Sequence, residues 1–355
     1  MGKRAKAGTL LAELVTMAVP LLQEAERQSP RTGPGAKPDI PDWVMAAMIM
    51  AALLSKKKTK SAQFRFLCER RRELADWLEC PAFPSRATYF RRYRRGHRLY
   101  REAIRLQGQQ AIKEGLVDPK HVAVDKSLLE AQGPPWHVRD RQAGKKRPGV
   151  DAEGAWGYSE HDGWVYGYSY EVVVSATPHA VVFPLLASVD SAGAAETKTF
   201  VAKIALLPDA THVVVADSAY DANAVGEQIE YNAQERRTGR HFLCPEIPRH
   251  GKNAKPPSRP VEASRVKSRQ RRTQRRMYLK SPRGRGLYAR RKKTVEPFNQ
   301  WFKSSFELNG PVWHRGLDNN RTQILAAIFA YQLLVRYNHR RGNKNGVIRW
   351  ILDTL

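Results

Sequence analysis

The feature that most constrains this chain is a change of texture at residue 121. His121-Val-Ala-Val-Asp125, the segments Gly163 to Ala176 and Ala180 to Ser188, and His212-Val-Val-Val-Ala-Asp217 are rich in Val and aromatic residues, the composition of strands that bury at least one face. Between the last two, Glu196 to Leu207 has apolar residues at helical spacing, as does Ala222 to Tyr231 before a short strand at His241 to Cys244. Three strands, helix, strand, helix, strand is the order of a mixed sheet flanked by helices, so the fold class read here is α/β.

The flanks of this region read differently. Residues 1–40 suggest an N-terminal arm, with an amphipathic helix through Leu10, Leu11, Leu14 and Met17, and a Ser, Pro and Gly-rich linker from Gln28 to Pro38. Residues 41–117 read as a helical domain in which Cys80-Pro81-Ala82-Phe83-Pro84-Ser85 separates two helices and Ser85 caps the second. That second helix presents Arg91, Arg92, Arg94, Arg95 and Arg98 with Tyr89, Phe90 and Tyr93 interleaved. Such a face suits the recognition helix of a helix-turn-helix unit and equally well a solvated basic surface. The α/β domain is expected over 118–340, with Thr322 to Tyr337 as a core helix, and a C-terminal tail over 341–355.

Charge narrows the partner. The chain holds 61 Lys and Arg against 34 Asp and Glu, a net charge of +27. Nearly all of the surplus sits in two stretches: Lys56 to Arg105 has 16 basic residues against 5 acidic, and Arg249 to Lys293 has 18 against 1. Solubility needs no such excess, and a polyanion explains it. The second stretch, with Pro256-Pro257, Gly284 and Gly286, reads as a basic insertion that forms a flexible arm ordered on DNA. With 42% hydrophobic residues the chain as a whole is too apolar to be a disordered tail. Its three cysteines form neither a disulfide framework nor a zinc motif. The longest apolar run, Trp43 to Leu54, is too short to span a bilayer, so a cytoplasmic, nucleoid-associated protein is expected.

In so basic a chain, acidic residues at strand ends need a reason. Asp125 and Asp217 each follow a Val-rich run, where α/β folds place ligands. Asp221 reads instead as the cap of the next helix. A third carboxylate, Glu296, falls in the first turn of a helix that Thr294 would cap, with Val295, Phe298, Phe302 and Phe306 as its apolar stripe and Lys303 two turns along from Glu296. An isolated first-turn Glu is ordinarily a helix-dipole feature. Three carboxylates from distant segments, however, suit hard divalent cations such as Mg²⁺ or Mn²⁺. Two such ions, ~4 Å apart, can cut and join phosphodiesters.

Asp125, Asp217 and Glu296, in that order, resemble the DDE triad of bacterial insertion-sequence transposases. Val213-Val-Val-Ala-Asp217-Ser-Ala-Tyr220-Asp221 and Gly163-Trp-Val-Tyr-Gly-Tyr168 support the likeness, and Tyr288, Lys292, Glu296 and Lys303 resemble the Tyr-Arg-Glu-Lys signature of one cut-and-paste group. Glu296 to Lys303 keeps that spacing; Tyr288 stands one residue too far back, and the arginine position is Lys292, with Arg291 beside it. The resemblance implies a ribonuclease-H-like fold and a set of roles: metal held by Asp125, Asp217 and Glu296 as two ions per site, and DNA contacts from Tyr288, Arg291, Lys292 and Lys303. It also implies binding to terminal inverted repeats, strand transfer into target DNA, and a homodimer that holds two DNA ends.

Two other functions fit the same residues: an inactive DNA-binding derivative of such an enzyme, and a metal-dependent nuclease without strand transfer. Tyrosine recombinases do not fit, since no His is followed by Arg three residues later. Trp136, His137, Trp156 and Trp164 suit base stacking or buried structure, and no role is assigned to them.

Overall fold

The computed structural model describes residues 7–30, 38–247, 263–343 and 346–355. Among these, the chain opens with helices α1 (Ala7–Gln28), α2 (Asp42–Leu54), α3 (Lys60–Glu69), α4 (Arg71–Trp77), α5 (Arg86–Tyr93) and α6 (Gly96–Lys113). The alternating region follows as β1 (His121–Glu130), the short α7 (Val138–Gln142), β2 (Ala155–Ser159), β3 (Gly163–Ser175), β4 (Pro184–Ser191), α8 (Glu196–Ile204), β5 (Val213–Val215), a 3-10 turn (Ser218–Tyr220), α9 (Asn223–Glu230) and β6 (His241–Leu243). Five helices end it: α10 (Ala263–Lys280), α11 (Pro282–Tyr288), α12 (Arg290–Ser305), α13 (Leu317–Arg340) and α14 (Arg349–Thr354).

The strands form one mixed sheet in the order β2-β3-β1-β5-β6, with β4 also on β3. β3 pairs antiparallel with β1, β2 and β4, whereas β1, β5 and β6 run parallel. The thirteen residues of β3 allow it to pair with β2 through its first part and with β4 through the rest. Gly167 marks the junction of β1, β2 and β3, where a Cβ would lie 2.2 Å from the Leu129 carbonyl oxygen. This is a ribonuclease-H-like arrangement: antiparallel strands on one side of β1, parallel strands on the other.

Alternation along β3 assigns the two faces. The Tyr170 hydroxyl donates to Asn299 Oδ1 on α12 at 3.0 Å, while the next residue, Glu171, accepts from Lys203 on α8. Helices α12 and α13 cover the first face, with Phe298 and Phe302 of α12 packed on Tyr331 of α13. Helix α13, the core helix expected from Thr322 to Tyr337, is buried over nearly its whole length.

The N-terminal helices share this core. Leu14 and Leu22 of α1, Val44 and Ile49 of α2, and Ile104 of α6 are buried in one hydrophobic cluster with Val124 of β1 and Phe329 of α13. Arg336 of α13, 2% exposed, donates from Nε to Glu114 Oε2 at 2.9 Å beyond the end of α6. The described part of the expected arm is therefore packed: Leu10, Leu11 and Leu14 are buried, and Glu13 accepts from the Tyr337 hydroxyl at 2.6 Å. Most of the expected linker, residues 31–37, lies outside the described residues.

Several local expectations change for physical reasons. Ser85 does cap α5, accepting from Thr88 N at 3.2 Å, but the helix ends at Tyr93 and the chain turns before α6. Asp221 caps nothing; it binds Arg272, and α9 begins without a side-chain cap. Thr294 lies inside α12, its hydroxyl donating to the Arg290 carbonyl at 2.9 Å, so Glu296 is in the second turn. Of the basic stretch, residues 249–262 are outside the described residues, and the remainder is helical rather than a loose arm. Helix α10 is tied down because Arg271, Arg272, Arg275 and Arg276 meet Glu227, Asp221, Glu230 and Glu246.

Candidate active site

Asp125 and Asp217 reach the same place by different routes. Strand β1 continues five residues past Asp125, so this residue lies mid-strand, opposite Val172 of β3. Neighbouring β5 stops at Val215, in register with Ala123. Asp217, two residues on, caps the 3-10 turn, its Oδ1 accepting from Ala219 N at 3.0 Å. Parallel pairing thus sets the end of β5 level with the middle of β1.

Helix α12 supplies the third carboxylate and a cation that joins all three. Arg291 Nη2 is 2.6 Å from Asp125 Oδ1 and 3.4 Å from Asp217 Oδ2, and its Nη1 is 3.2 Å from Glu296 Oε1. One guanidinium therefore gathers acidic groups from a strand, a strand end and a helix. The second oxygen of Asp125 accepts from Asn299 Nδ2 at 2.8 Å, and Asn299 is itself held by the Tyr170 hydroxyl. Exposure rises outward through the cluster: the side chains of Asp125, Asp217 and Glu296 are 11%, 36% and 46% exposed.

The electrostatics are those of a site short of positive charge. Burial pushes the Asp125 carboxyl up to about 6; Arg291 pulls it down, and Asp217 and Glu296 push it further up. Burial also raises Asp217, against the pull of Arg291. For Arg291, burial favours the neutral form, but Asp125 and Asp217 outweigh it and hold the guanidinium above its ordinary value. Carboxylate oxygens in this setting match the donor preference of Mg²⁺ or Mn²⁺. Among the described residues no three His, Cys, Asp or Glu side chains form a group ready to hold a metal ion; the guanidinium stands between the carboxylates. By donor type and convergence the residues fit a hard divalent cation, with Arg291 as the group that would give way.

The other expected residues divide. Lys303 is half-buried on α12; burial lowers its pKa, against the charges of Asp162 and Asp125. Tyr288 ends α11 and packs with Leu287 against Val213, Val215 and Leu243. Lys292 is exposed beside Arg291. Arg91, Arg94 and Arg95 are exposed on α5 and the turn after it, where Tyr93 O accepts from Thr322 of α13 at 2.7 Å. Among the described residues, none of these three bonds to the carboxylate cluster. Arg92 differs from its neighbours: 8% exposed, it binds Asp42 and donates to the Ile40 carbonyl, so it braces α5 against α2 instead of facing solvent. His137 stacks on Trp156 with ring centroids 5.6 Å apart, whereas Trp164 is 69% exposed beside Tyr158.

Sequence reasoning missed Asn299 and Lys126. Asn299 stands three residues after Glu296, hence on a shared helix flank, which is a findable signal. Lys126 follows Asp125 on the opposite sheet face and donates to the Ala194 carbonyl at 2.8 Å, with Glu196 at 3.4 Å. Burial raises Glu196, against Lys126. No local pattern announces that pair.

The family model described as the transposase DDE domain matches residues 117–333, well over half of the chain and all three carboxylates. No curated protein and no solved structure matches the chain.

Proposed function

The chain belongs to the transposase DDE domain family, and we propose that it binds the terminal inverted repeats of an insertion sequence, cleaves phosphodiesters there and joins the ends to target DNA. The observation that carries this reading is the convergence of Asp125, Asp217 and Glu296 on Arg291, inside the matched region. In this reading the three carboxylates hold divalent metal, which when bound supplies activation of a water or 3′ hydroxyl and stabilisation of the leaving oxygen. Asn299 keeps the Asp125 carboxylate turned toward the site by occupying its second oxygen. Asp125 accepts a proton readily below about pH 6, so metal binding is expected to strengthen as pH rises through that value.

Arg291 has two alternative partners in this scheme. The cluster it satisfies holds three negative charges for its one positive charge, and a phosphate is the equivalent bidentate partner for a guanidinium. With metal on the carboxylates, Arg291 turns to the DNA backbone, joined by Lys292, Lys303 and Tyr288. Arg91, Arg94 and Arg95 provide a separate basic face for the element ends, and Arg92 supports that face from within. Binding at this face depends on released counterions and weakens steeply with salt. A dimer that holds two ends, and a cytoplasmic, nucleoid-associated location, belong to the same reading. No helix among the described residues is long and apolar enough to cross a membrane.

The experiment is a paired gel-shift and cleavage assay on duplex carrying the ends that flank the coding gene, with the parent chain and Asp217→Ala. The reading expects end binding by both and Mg²⁺-dependent cleavage and joining by the parent alone. Cleavage by Asp217→Ala at the parent rate would remove Asp217 from the site; cleavage by the parent without joining would favour a nuclease.

A further inference from the structure

Beneath Asp217, on the sheet face turned away from α12, lies a buried charge that the proposed chemistry does not use. Glu171 of β3 is 3% exposed. Its Oε1 accepts from Lys203 Nζ of α8; its Oε2 accepts from Thr199 Oγ1 at 2.7 Å and from the Tyr220 hydroxyl at 2.9 Å. Lys203 Nζ also donates to the Thr199 carbonyl at 2.9 Å. An ion pair in such a place is weak evidence for stability, because desolvating both charges offsets most of their attraction. What this one does provide is direction.

Tyr220 is the link. It closes the 3-10 turn that Asp217 opens: Tyr220 N donates to the Asp217 carbonyl at 3.2 Å, and Asp217 Oδ1 accepts from Ala219 N inside the same turn. Cys244 Sγ also donates to the Asp217 carbonyl, at 2.8 Å. The Tyr220 ring meets Phe200 of α8 edge-on with centroids 5.7 Å apart, an apolar contact that tolerates sliding. Its hydroxyl does not slide, since it ends on a buried carboxylate whose other oxygen is held by Lys203. Burial, and then the charge of Glu171, push that hydroxyl well above its ordinary pKa, which keeps it a donor.

We infer that Glu171, acting through Tyr220, is a positioning residue that sets the direction of the Asp217 carboxylate. The inference rests on the reading of Asp217 as a metal-holding residue. Neither Glu171 nor Tyr220 touches the metal or DNA in this account; both act by fixing the turn between the sheet and the site.

The test uses the full chain without DNA and reads Mn²⁺ affinity by calorimetry together with amide hydrogen exchange of the 218–222 segment. Tyr220→Phe removes one hydroxyl and keeps the ring against Phe200. Thr199→Val removes a different bond to the same Glu171 oxygen, from α8 and not from the turn. Glu171→Gln serves as a second variant, although it leaves Lys203 without a charged partner. Asp217→Asn sets the scale. Losing an outer partner of a metal-holding residue typically costs about 10- to 100-fold in affinity, and Tyr220→Phe is expected at the lower end of that range, with faster exchange at Ala219 and Tyr220. Glu171→Gln is expected to move both readouts the same way, and Thr199→Val to change neither.

Parent-like Mn²⁺ affinity in Tyr220→Phe, while Asp217→Asn has lost it, would overturn the positioning role alone. Equal weakening by Thr199→Val and Tyr220→Phe would do the same, because it would reduce Glu171 to general support. Parent-like affinity in Asp217→Asn, or no Mn²⁺ uptake by the parent, would overturn the reading of Asp217 itself.

Discussion

Replacing Asp125 by asparagine is expected to make the metal-free protein more stable at neutral pH, although it removes a buried side chain with both oxygens bonded. Burial, only partly offset by Arg291, lifts this carboxyl from 3.8 to about 6. A raised pKa means that the folded chain holds the proton more tightly than the unfolded chain does. The stabilising effect is complete below about pH 4 and is lost as pH rises through about 6. Roughly two units at about 1.4 kcal/mol each make about 3 kcal/mol by neutral pH. Asparagine does not ionise and escapes that loss. It keeps an acceptor oxygen for Arg291 but turns an amide NH2 toward Asn299 Nδ2, which donates to Asp125 in the parent, a pH-independent cost of about 1–2 kcal/mol. The variant should therefore be less stable than the parent by about 1–2 kcal/mol near pH 4 and more stable by about 1 kcal/mol near pH 7.5. The assay is thermal or denaturant unfolding of both proteins in EDTA across that range, read as the difference between them, so that titrations elsewhere cancel. A difference that ignores pH, or that turns against the variant as pH rises, would refute the reasoning. Saturating Mg²⁺ should reverse the order near pH 7.5, since only the parent gains by binding it.

Three further outcomes follow from the geometry. Arg92→Ala should lower stability by about 2 kcal/mol, because it removes a buried guanidinium that bonds the Ile40 carbonyl and the half-buried Asp42, whereas Arg91→Ala should leave unfolding unchanged and weaken end binding with a shallower salt dependence; comparing unfolding midpoints with gel-shift titrations at two salt concentrations separates the two. Burial pushes Glu114 up, but Arg336 and Arg340 outweigh it and hold the carboxyl down at about 2. Glu114→Gln should accordingly cost about 3 kcal/mol at neutral pH, with the deficit shrinking as pH falls below about 4.5, the opposite pH trend to Asp125→Asn and readable in the same unfolding series. Arg291→Ala should weaken DNA binding measured in Mg²⁺ yet raise Mn²⁺ affinity measured without DNA by calorimetry, since the carboxylates then have no competing cation.

What the sequence disclosed, and what it withheld, follows the range of the interactions involved. Val-rich runs and helical spacing are local, so most of the strand and helix order and the core helix around Ile324 to Leu333 were legible; the five-residue edge strand β2, Ala-Trp-Gly-Tyr-Ser, carries no Val-rich run and was missed. Strand β1 was read too short because its Val-rich run stops at Asp125, whereas it continues to Glu130, with Lys126 finding Ala194 and Glu196 across the face. Arg92 looked like its exposed neighbours because its partner, Asp42, lies fifty residues earlier. Helix α10 looked like a loose basic arm because four acidic partners, on α9 and the segments flanking α9 and β6, cannot be foreseen from its own sequence. Glu171 carries no local signal at all, since its role depends on α8 and the turn after β5 meeting over one position of β3.

The central claim is that three carboxylates gathered around Arg291 form a metal-dependent phosphodiester-cutting centre. Its most direct test is cleavage of labelled duplex bearing the flanking ends of the coding gene, in Mg²⁺ or EDTA, by the parent and by Glu296→Gln. The account predicts nicking at the element boundary by the parent in Mg²⁺ only and none by the variant, with end binding retained in both. Metal-independent cleavage by the parent, or undiminished cleavage by Glu296→Gln, would contradict it.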